Sequence, residues 1–219
     1  MNDLGVMRFG QLLAEPPEYG ANASALPFNG VDPRYLRITD IDDAGRLLHD
    51  DIRSIPQTIA APYLLMQHDI VIARTGNTVG KSYLHDDLNG ALAFAGYLVR
   101  FRLDKDKAVP KFVFHFLHSP MYWSWIGNTL RTGAQPNVNA AEYKQLPLPA
   151  FFPPVQRKIA RILTTLDNLI EKTESLIAKY QAIKQGMMHD LFTRGVDAHG
   201  HLRPTQAEAP DLYKQSELG

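Results

Sequence analysis

From Val155 onward the apolar side chains fall into a repeating register: Val155, Ile159, Ile162, Leu166, Leu169, Leu176, Tyr180, Ile183 and Met187. The steps between them are 4, 3, 4, 3, 7, 4, 3 and 4 residues, and Thr173 stands on the register inside the long step. A 3.5-residue period held over this length predicts a coiled-coil helix. A second row, Leu163, Ile170 and Ile177, broadens the stripe. Pro153 and Pro154 suit a helix start. Gly195, after Thr193-Arg194, suits its stop, and Gly186 is an interior blemish of about 1 kcal/mol. A helix from Pro154 to Phe192 would run roughly 58 Å at ~1.5 Å per residue. A domain of ~150 residues is roughly 30–40 Å across, so this stripe calls for a partner helix.

Residues 1–152 are patterned differently. Tyr35–Ile38, Ile70–Ala73 and Tyr97–Leu103 are apolar and β-branched runs that predict strands. Lys111–His118 and Tyr122–Ile126 predict helix. Turn signals at Asn29-Gly30, Thr75-Gly76-Asn77 and Asn89-Gly90 separate these runs. The fold class expected is a mixed α/β (α+β) globular domain over 1–152, then one long coiled-coil α-helix over 153–195. Residues 196–219 hold few large apolar side chains and read as an extended tail or linker.

Composition narrows the class. The chain has 219 residues, 45% hydrophobic and 21% charged, as in globular proteins of one domain or two small ones. The longest apolar run, Ala91–Val99, falls far short of the ~20 residues that span a bilayer. The start MNDLGVMRFG lacks the basic and apolar regions of a secretory signal. With no cysteine, disulfides, thiol nucleophiles and Cys-based metal sites are excluded. A soluble cytoplasmic protein is expected. There are 23 basic and 23 acidic side chains. They divide as 14 and 15 over residues 1–153, and as 9 and 8 over 154–219. This balance argues against a protein that coats nucleic acid non-specifically but leaves room for a local basic face.

Two loops carry candidate chemistry. Arg74-Thr75-Gly76-Asn77-Thr78-Val79-Gly80-Lys81-Ser82 follows a predicted strand and ends like a phosphate-binding loop. That motif needs four residues between its glycines; here there are three, and the sequence after Ser82 is a poor helix start. A strand-to-strand turn is the plainer reading. Its Arg, Thr, Asn, Lys and Ser side chains also suit contact with DNA phosphates and base edges. Arg131-Thr132-Gly133-Ala134-Gln135-Pro136-Asn137-Val138-Asn139 is a second polar loop. Its amides can bond adenine and its arginine guanine, or they can cap backbone groups. The histidine pairs His115/His118 and His199/His201 lack the third ligand a catalytic zinc needs, and His115, among Phe112, Phe114 and Phe116, is expected to pack. The acidic groups at Asp40, Asp42, Asp43, Asp86 and Asp87 read as turn caps. No catalytic residue, metal site or methyl-donor site is expected on this chain.

Five segments in order over residues 35–195 resemble the specificity (S) subunit of Type I restriction-modification systems. They are Tyr35–Ile41 with Gly45, Asp69–Gly76 with Val79–Lys81, Gly133–Asn139 leading to Leu146–Pro149, Gln156–Leu163, and Lys184–Gly195. Where the family's helix often starts Glu-Gln, Val155 precedes Gln156 here. The usual subunit has two recognition domains and two spacer helices, and this chain has one of each. Its end, Pro210–Gly219, resembles the segment that introduces the second recognition domain. A half-length form is therefore expected.

The resemblance implies a non-catalytic subunit that reads one half of a bipartite double-stranded DNA site. Its spacer helix would set the distance between recognition domains and dock modification (methyltransferase) subunits. S-adenosylmethionine, ATP and Mg belong to partner subunits, and restriction subunits join through the complex. The expected DNA contacts are Arg74, Thr75, Asn77, Thr78, Lys81, Arg131, Gln135 and Asn137, with Arg34 and Arg37 beside them. Pairing with a second copy or a second half-subunit would use Ile159, Ile162, Leu166, Leu169, Leu176, Tyr180, Ile183 and Met187. The alternative is a coiled-coil adaptor that does not read DNA.

Overall fold

The structure, a computed structural model, describes residues 5–130 and 136–214. It divides into two units, Met1–Thr164 and Thr165–Gly219. In the first, the described strands are β1 (Val6–Arg8), β2 (Glu18–Tyr19), β3 (Leu26–Pro27), β4 (Arg34–Leu36), β5 (Arg53–Ser54), β6 (Ile70–Ala73), β7 (Ser82–Leu84), β8 (Leu92–Phe94), β9 (Leu98–Phe101) and β10 (Pro147–Pro149). The helices are α1 (Gln57–Ala60), α2 (Pro110–Phe116), α3 (Pro120–Thr129), α4 (Ala140–Tyr143) and α5 (Pro153–Thr193). The mixed α/β class with one long helix after the sheets is what the sequence pattern predicts.

Strand β6 explains the architecture. Its four residues are all fully buried, because it pairs antiparallel with β7 on one side and β9 on the other. Both of its faces are also covered. Ile70 and Ile72 join Phe101, Val113, Tyr122, Tyr143 and Leu148 in the larger core, with helices α2 to α4. Val71 and Ala73 join Leu36, Leu92, Phe94 and Leu98 in a second core. Leu36, Leu92 and Phe94 belong to the sheet ordered β3-β5-β4-β8, so β6 lies in a middle layer, the sheet β2-β9-β6-β7. A strand covered on both faces has no polar side to show, so the run is continuously apolar rather than alternating.

The short strands escape sequence patterning because two or three residues carry no readable period. Strand β10 even contains Pro147 and Pro149, which edge pairing tolerates. It pairs antiparallel with β1, Val6 opposite Pro149, and so closes the N-terminal segment onto the residues leading into α5.

Charged groups are largely spent on holding turns. Asp69 is fully buried and accepts both arms of Arg102 at 2.8 Å each. Arg102 also meets Glu15 at 2.5 Å, and Arg100 binds Glu18. The hydrogen bond to Asp69 pushes the Arg102 guanidinium above its ordinary range. Asp40 accepts from the Arg37 amide, Asp42 from the amides of Ala44 and Arg46, and Asp86 from Leu88, so these three are caps, whereas Asp43 meets Lys81 and Asp87 meets His85. His115 is half-buried, with Nε2 3.1 Å from Thr164 Oγ1.

Helix α5 starts on a buried clamp. Gln156 is 1% exposed. Its Oε1 accepts from the Val109 amide at 2.8 Å, and its Nε2 donates to the carbonyls of Phe151 (2.7 Å) and Lys107 (3.3 Å). In the second unit the helix stops at Gly195, whose φ of +69° is the left-handed cap that glycine adopts without a Cβ penalty. The following residues depart from the expected extended tail. Val196 pairs with Leu202, and Asp197 accepts from the His199 and His201 amides. Arg194 Nε donates to the Arg203 carbonyl at 2.7 Å, and the Tyr213 hydroxyl donates to the Pro204 carbonyl. These local bonds need no hydrophobic core, which is why composition alone did not signal them.

Candidate nucleic-acid interface

The first polar loop is a hairpin between β6 and β7. Ala73 and Gly80 close it, with the Gly80 amide donating to the Ala73 carbonyl at 2.9 Å and the Lys81 carbonyl accepting from the Ala73 amide at 2.8 Å. A strand, not a helix, begins at Ser82, so the phosphate-loop reading fails: the helix that such a loop opens is replaced by β7. Gly80 has φ +91°, and a Cβ there would lie 2.9 Å from Trp123. The Tyr122 hydroxyl donates to its carbonyl at 2.7 Å. Helix α3 thus fixes the base of the hairpin, and the Tyr143 hydroxyl, donating to the Ala73 carbonyl at 3.0 Å, fixes its entry.

The described end of the second loop lies against this hairpin. Thr75 and Asn137 form an antiparallel bridge. The Val138 amide donates to the Arg74 carbonyl at 2.8 Å, and the Gly76 amide to the Pro136 carbonyl at 3.0 Å. Asn139 then caps α4: its side chain accepts from the Glu142 amide at 3.0 Å, and Glu142 accepts from the Asn139 amide at 2.8 Å. Two loops some sixty positions apart in sequence therefore share one edge, with Asn77 and Asn137 exposed and Arg74, Thr75 and Thr78 half-buried on it.

The other nominated residues sort by their partners. Lys81 meets Asp43 at 2.8 Å. Thr78 Oγ1 is buried without a hydrogen-bond partner among the described residues. Arg131 and Gln135 lie outside the described residues. Arg34 and Arg37 are not brought to the loop pair. Arg34, in β4 of the other sheet, is 8% exposed and donates to the Leu48 carbonyl. Arg37 is held by Asp40 at 2.6 Å and Asp51 at 3.2 Å, and the Asp40 hydrogen bond raises its pKa above the ordinary value. Both are structural arginines, committed inside the fold rather than offered to a ligand.

Sequence reading missed the residues that frame Arg74. Its guanidinium lies 4.9 Å from the centroid of the Tyr19 ring, its Nε donates to the Gly96 carbonyl at 3.1 Å, and exposed Tyr97 accepts from its backbone amide at 3.0 Å. Tyr19 sits in a two-residue strand opposite Val99, with no local signal to mark it.

On helix α5, Ile159 packs partly buried against the larger core of the first unit. From Ile162 on, the register opens: Ile162, Leu166, Leu169, Leu176, Tyr180, Ile183 and Met187 are 44–62% exposed. Among the described residues, no helix is long and apolar enough to cross a membrane.

Residues 52–181, which include the hairpin and most of the long helix, match the model of the Type I restriction modification DNA specificity domain. The chain belongs to this family. Specificity-subunit relatives are distant in sequence. The protein assigned as the MjaX type I restriction enzyme specificity subunit of Methanocaldococcus jannaschii is 28% identical over 176 residues, 77% of this chain and 40% of that protein. The StySPI specificity subunit of Salmonella potsdam is 22% identical over 84% of this chain and 41% of its own length. The fold is that of the HsdS subunit from Thermoanaerobacter tengcongensis, with a TM-score of 0.60 at 18% identity over 91% of this chain and 51% of that one. The S subunit from M. genitalium gives the same score over 88% and 47%. This specificity chain thus spans about two fifths of these curated relatives and about half of these solved subunits.

Proposed function

We propose that this chain reads one half of a bipartite double-stranded DNA site through the joined loop pair, as part of a Type I specificity subunit. The observation that carries the reading is the Thr75–Asn137 bridge, which gathers the polar groups of two separate loops onto one edge. Base edges need hydrogen-bonding side chains presented together. The proposed contacts are Arg74, Thr75, Asn77, Thr78, Lys81 and Asn137, with Arg131 and Gln135 from the same loop. The recognition domain is residues 1–152, the spacer helix 153–195, and 196–219 leads toward a further domain or partner.

The helix is the second half of the proposal. Its exposed apolar register pairs antiparallel with a second copy or another half-subunit, sets the distance between recognition domains and docks modification subunits. A two-fold dimer mirrors its symmetry in the DNA, so the target is two inverted copies of one half-site. The chain itself performs no chemistry and works in the cytoplasm. Methyl transfer with S-adenosylmethionine belongs to the modification subunits, and ATP- and Mg-dependent work to restriction subunits that join through the complex.

The test is the methylome of a host expressing this chain with its modification subunit. Replacing Thr75, Asn77 and Asn137 together by Ala should change the methylated motif. An unchanged motif removes the loops from the interface, and a chain that never directs methylation favours the adaptor reading. Light scattering at micromolar concentration should give twice the monomer mass.

A further inference from the structure

Arg74 stands apart from most of the described arginines of the recognition domain; Arg8 and Arg34, like it, bind neutral groups, but through Nη donors, to the carbonyls of Gln145 and Leu48. Arg37, Arg46, Arg53, Arg100 and Arg102 each meet a carboxylate. Arg74 is held instead by neutral groups, the Gly96 carbonyl at Nε (3.1 Å) and the Tyr19 ring face (4.9 Å). Its backbone is fixed by Tyr97 on one side and Val138 on the other. Among the described residues its Nη1 and Nη2 make no hydrogen bond or ion pair. Its charge is therefore not neutralised by a carboxylate among the described residues, and the guanidinium is held at Nε and over the Tyr19 ring while two adjacent donors remain. Tyr19 also meets the start of α4, just after the second loop, since its hydroxyl accepts from the Ala140 amide at 3.3 Å.

A guanidinium anchored through Nε presents a flat two-donor edge. Guanine offers two adjacent acceptors in the major groove, O6 and N7. Adenine offers one acceptor beside an amino donor, which a side chain with no acceptor cannot satisfy. A phosphate can also take a bidentate guanidinium, but such a contact carries no base preference and shows instead in the salt dependence. We propose that Arg74 reads one guanine of the half-site through its Nη1–Nη2 edge and that Tyr19 is the positioning residue that aims it. This deepens the DNA-reading function proposed above and rests on it.

The experiment expresses the chain with its modification subunit in a methylation-free host, as Arg74→Lys, Arg74→Ala, Tyr19→Leu and Tyr19→Phe. Sequencing then records the methylated motif, and rates are taken on matched duplexes at several salt concentrations. Arg74→Lys and Arg74→Ala should relax one G·C position, symmetrically in both halves of a dimer's site. Discrimination there should fall about 5- to 150-fold, the worth of a bidentate pair, with the other positions unchanged. Tyr19→Leu, which removes the π face, should relax the same position, and Tyr19→Phe should restore it.

Relaxation at an A·T position overturns guanine reading. So does a uniform loss of rate with a flatter salt dependence, which marks a phosphate contact. A wild-type motif and rate in Arg74→Ala would count against the loop assignment itself. Relaxation by Arg74→Ala but not Tyr19→Leu removes only the positioning role. Tyr19 is 45% exposed and Arg74→Lys keeps the charge, so these variants test reading rather than folding.

Discussion

Strand β6 and the register of helix α5 are built from the same kinds of side chain and end in opposite surroundings. Ile70, Val71, Ile72 and Ala73 are fully buried, whereas Ile162, Leu166, Leu169 and Ile183 are about half exposed. The strand is covered on both faces by elements of its own chain. The helix beyond Thr164 belongs to the second unit and keeps an exposed apolar stripe. Burial of apolar area is the main favourable term in both folding and association, so the strand contributes to stability within one chain, and the helix, in the function proposed above, to assembly between chains.

This contrast can be broken at its strongest point first. Leu166→Asp combined with Ile177→Asp should abolish pairing of α5, because each places a charge in an apolar seam. Light scattering should then show monomers while the unfolding midpoint of the first unit stays put. If that unit unfolds instead, the helix is a folding element and the contrast is wrong. Phe101→Ala should do the reverse. Phe101 is fully buried between Phe9 (5.0 Å between ring centroids) and Tyr143 (5.7 Å), and its loss should cost about 3–5 kcal/mol in urea unfolding.

Gln156→Ala tests the joint between the two regions. It leaves the Val109 amide and the Lys107 and Phe151 carbonyls without their partner, at a cost of about 1–3 kcal/mol for the buried groups. Hydrogen exchange should rise first in the opening turns of α5. The smallest effect is acidic. Burial of the His85 imidazole, opposed by nearby Asp87, Asp69 and Asp86, lowers its pKa when folded. An unfolded histidine titrates near ~6.5. As pH falls through that value the unfolded chain takes up a proton that the folded chain resists, so stability declines until the folded pKa is reached. Thermal unfolding between pH 7 and pH 5 should show this loss in the first unit, and His85→Gln should flatten it.

Legibility followed the range of the interactions. The α5 register and the Gly195 stop are local, and the sequence predicts a helix within a residue of its observed ends. The run Ile70–Ala73 reads as a strand because every position is apolar. The turn around Gly76 was visible, but its use as a phosphate loop could be rejected fully only when β7 appeared after it. Arg34 and Arg37 looked like basic residues beside a strand; Asp40, three residues on, was within local reach of Arg37, but nothing local announced that Leu48 and Asp51 would claim them too. Gln156 stood in the sequence as part of a family motif, and only packing made it a buried clamp.

The even balance of 23 basic and 23 acidic residues follows the same division. By itself the sequence determined that the chain folds as strands followed by a long amphipathic helix, because hydrophobic periodicity is a property of neighbouring residues. The tertiary structure alone decided which charges remain available. Arg100 and Arg102 are neutralised by carboxylates brought to them by the fold. Arg74 is carried past such partners to a carbonyl and an aromatic ring, beside a loop some sixty residues further on. Net charge sums over residues, whereas recognition depends on which of them end up adjacent, and long-range strand pairing decides that adjacency.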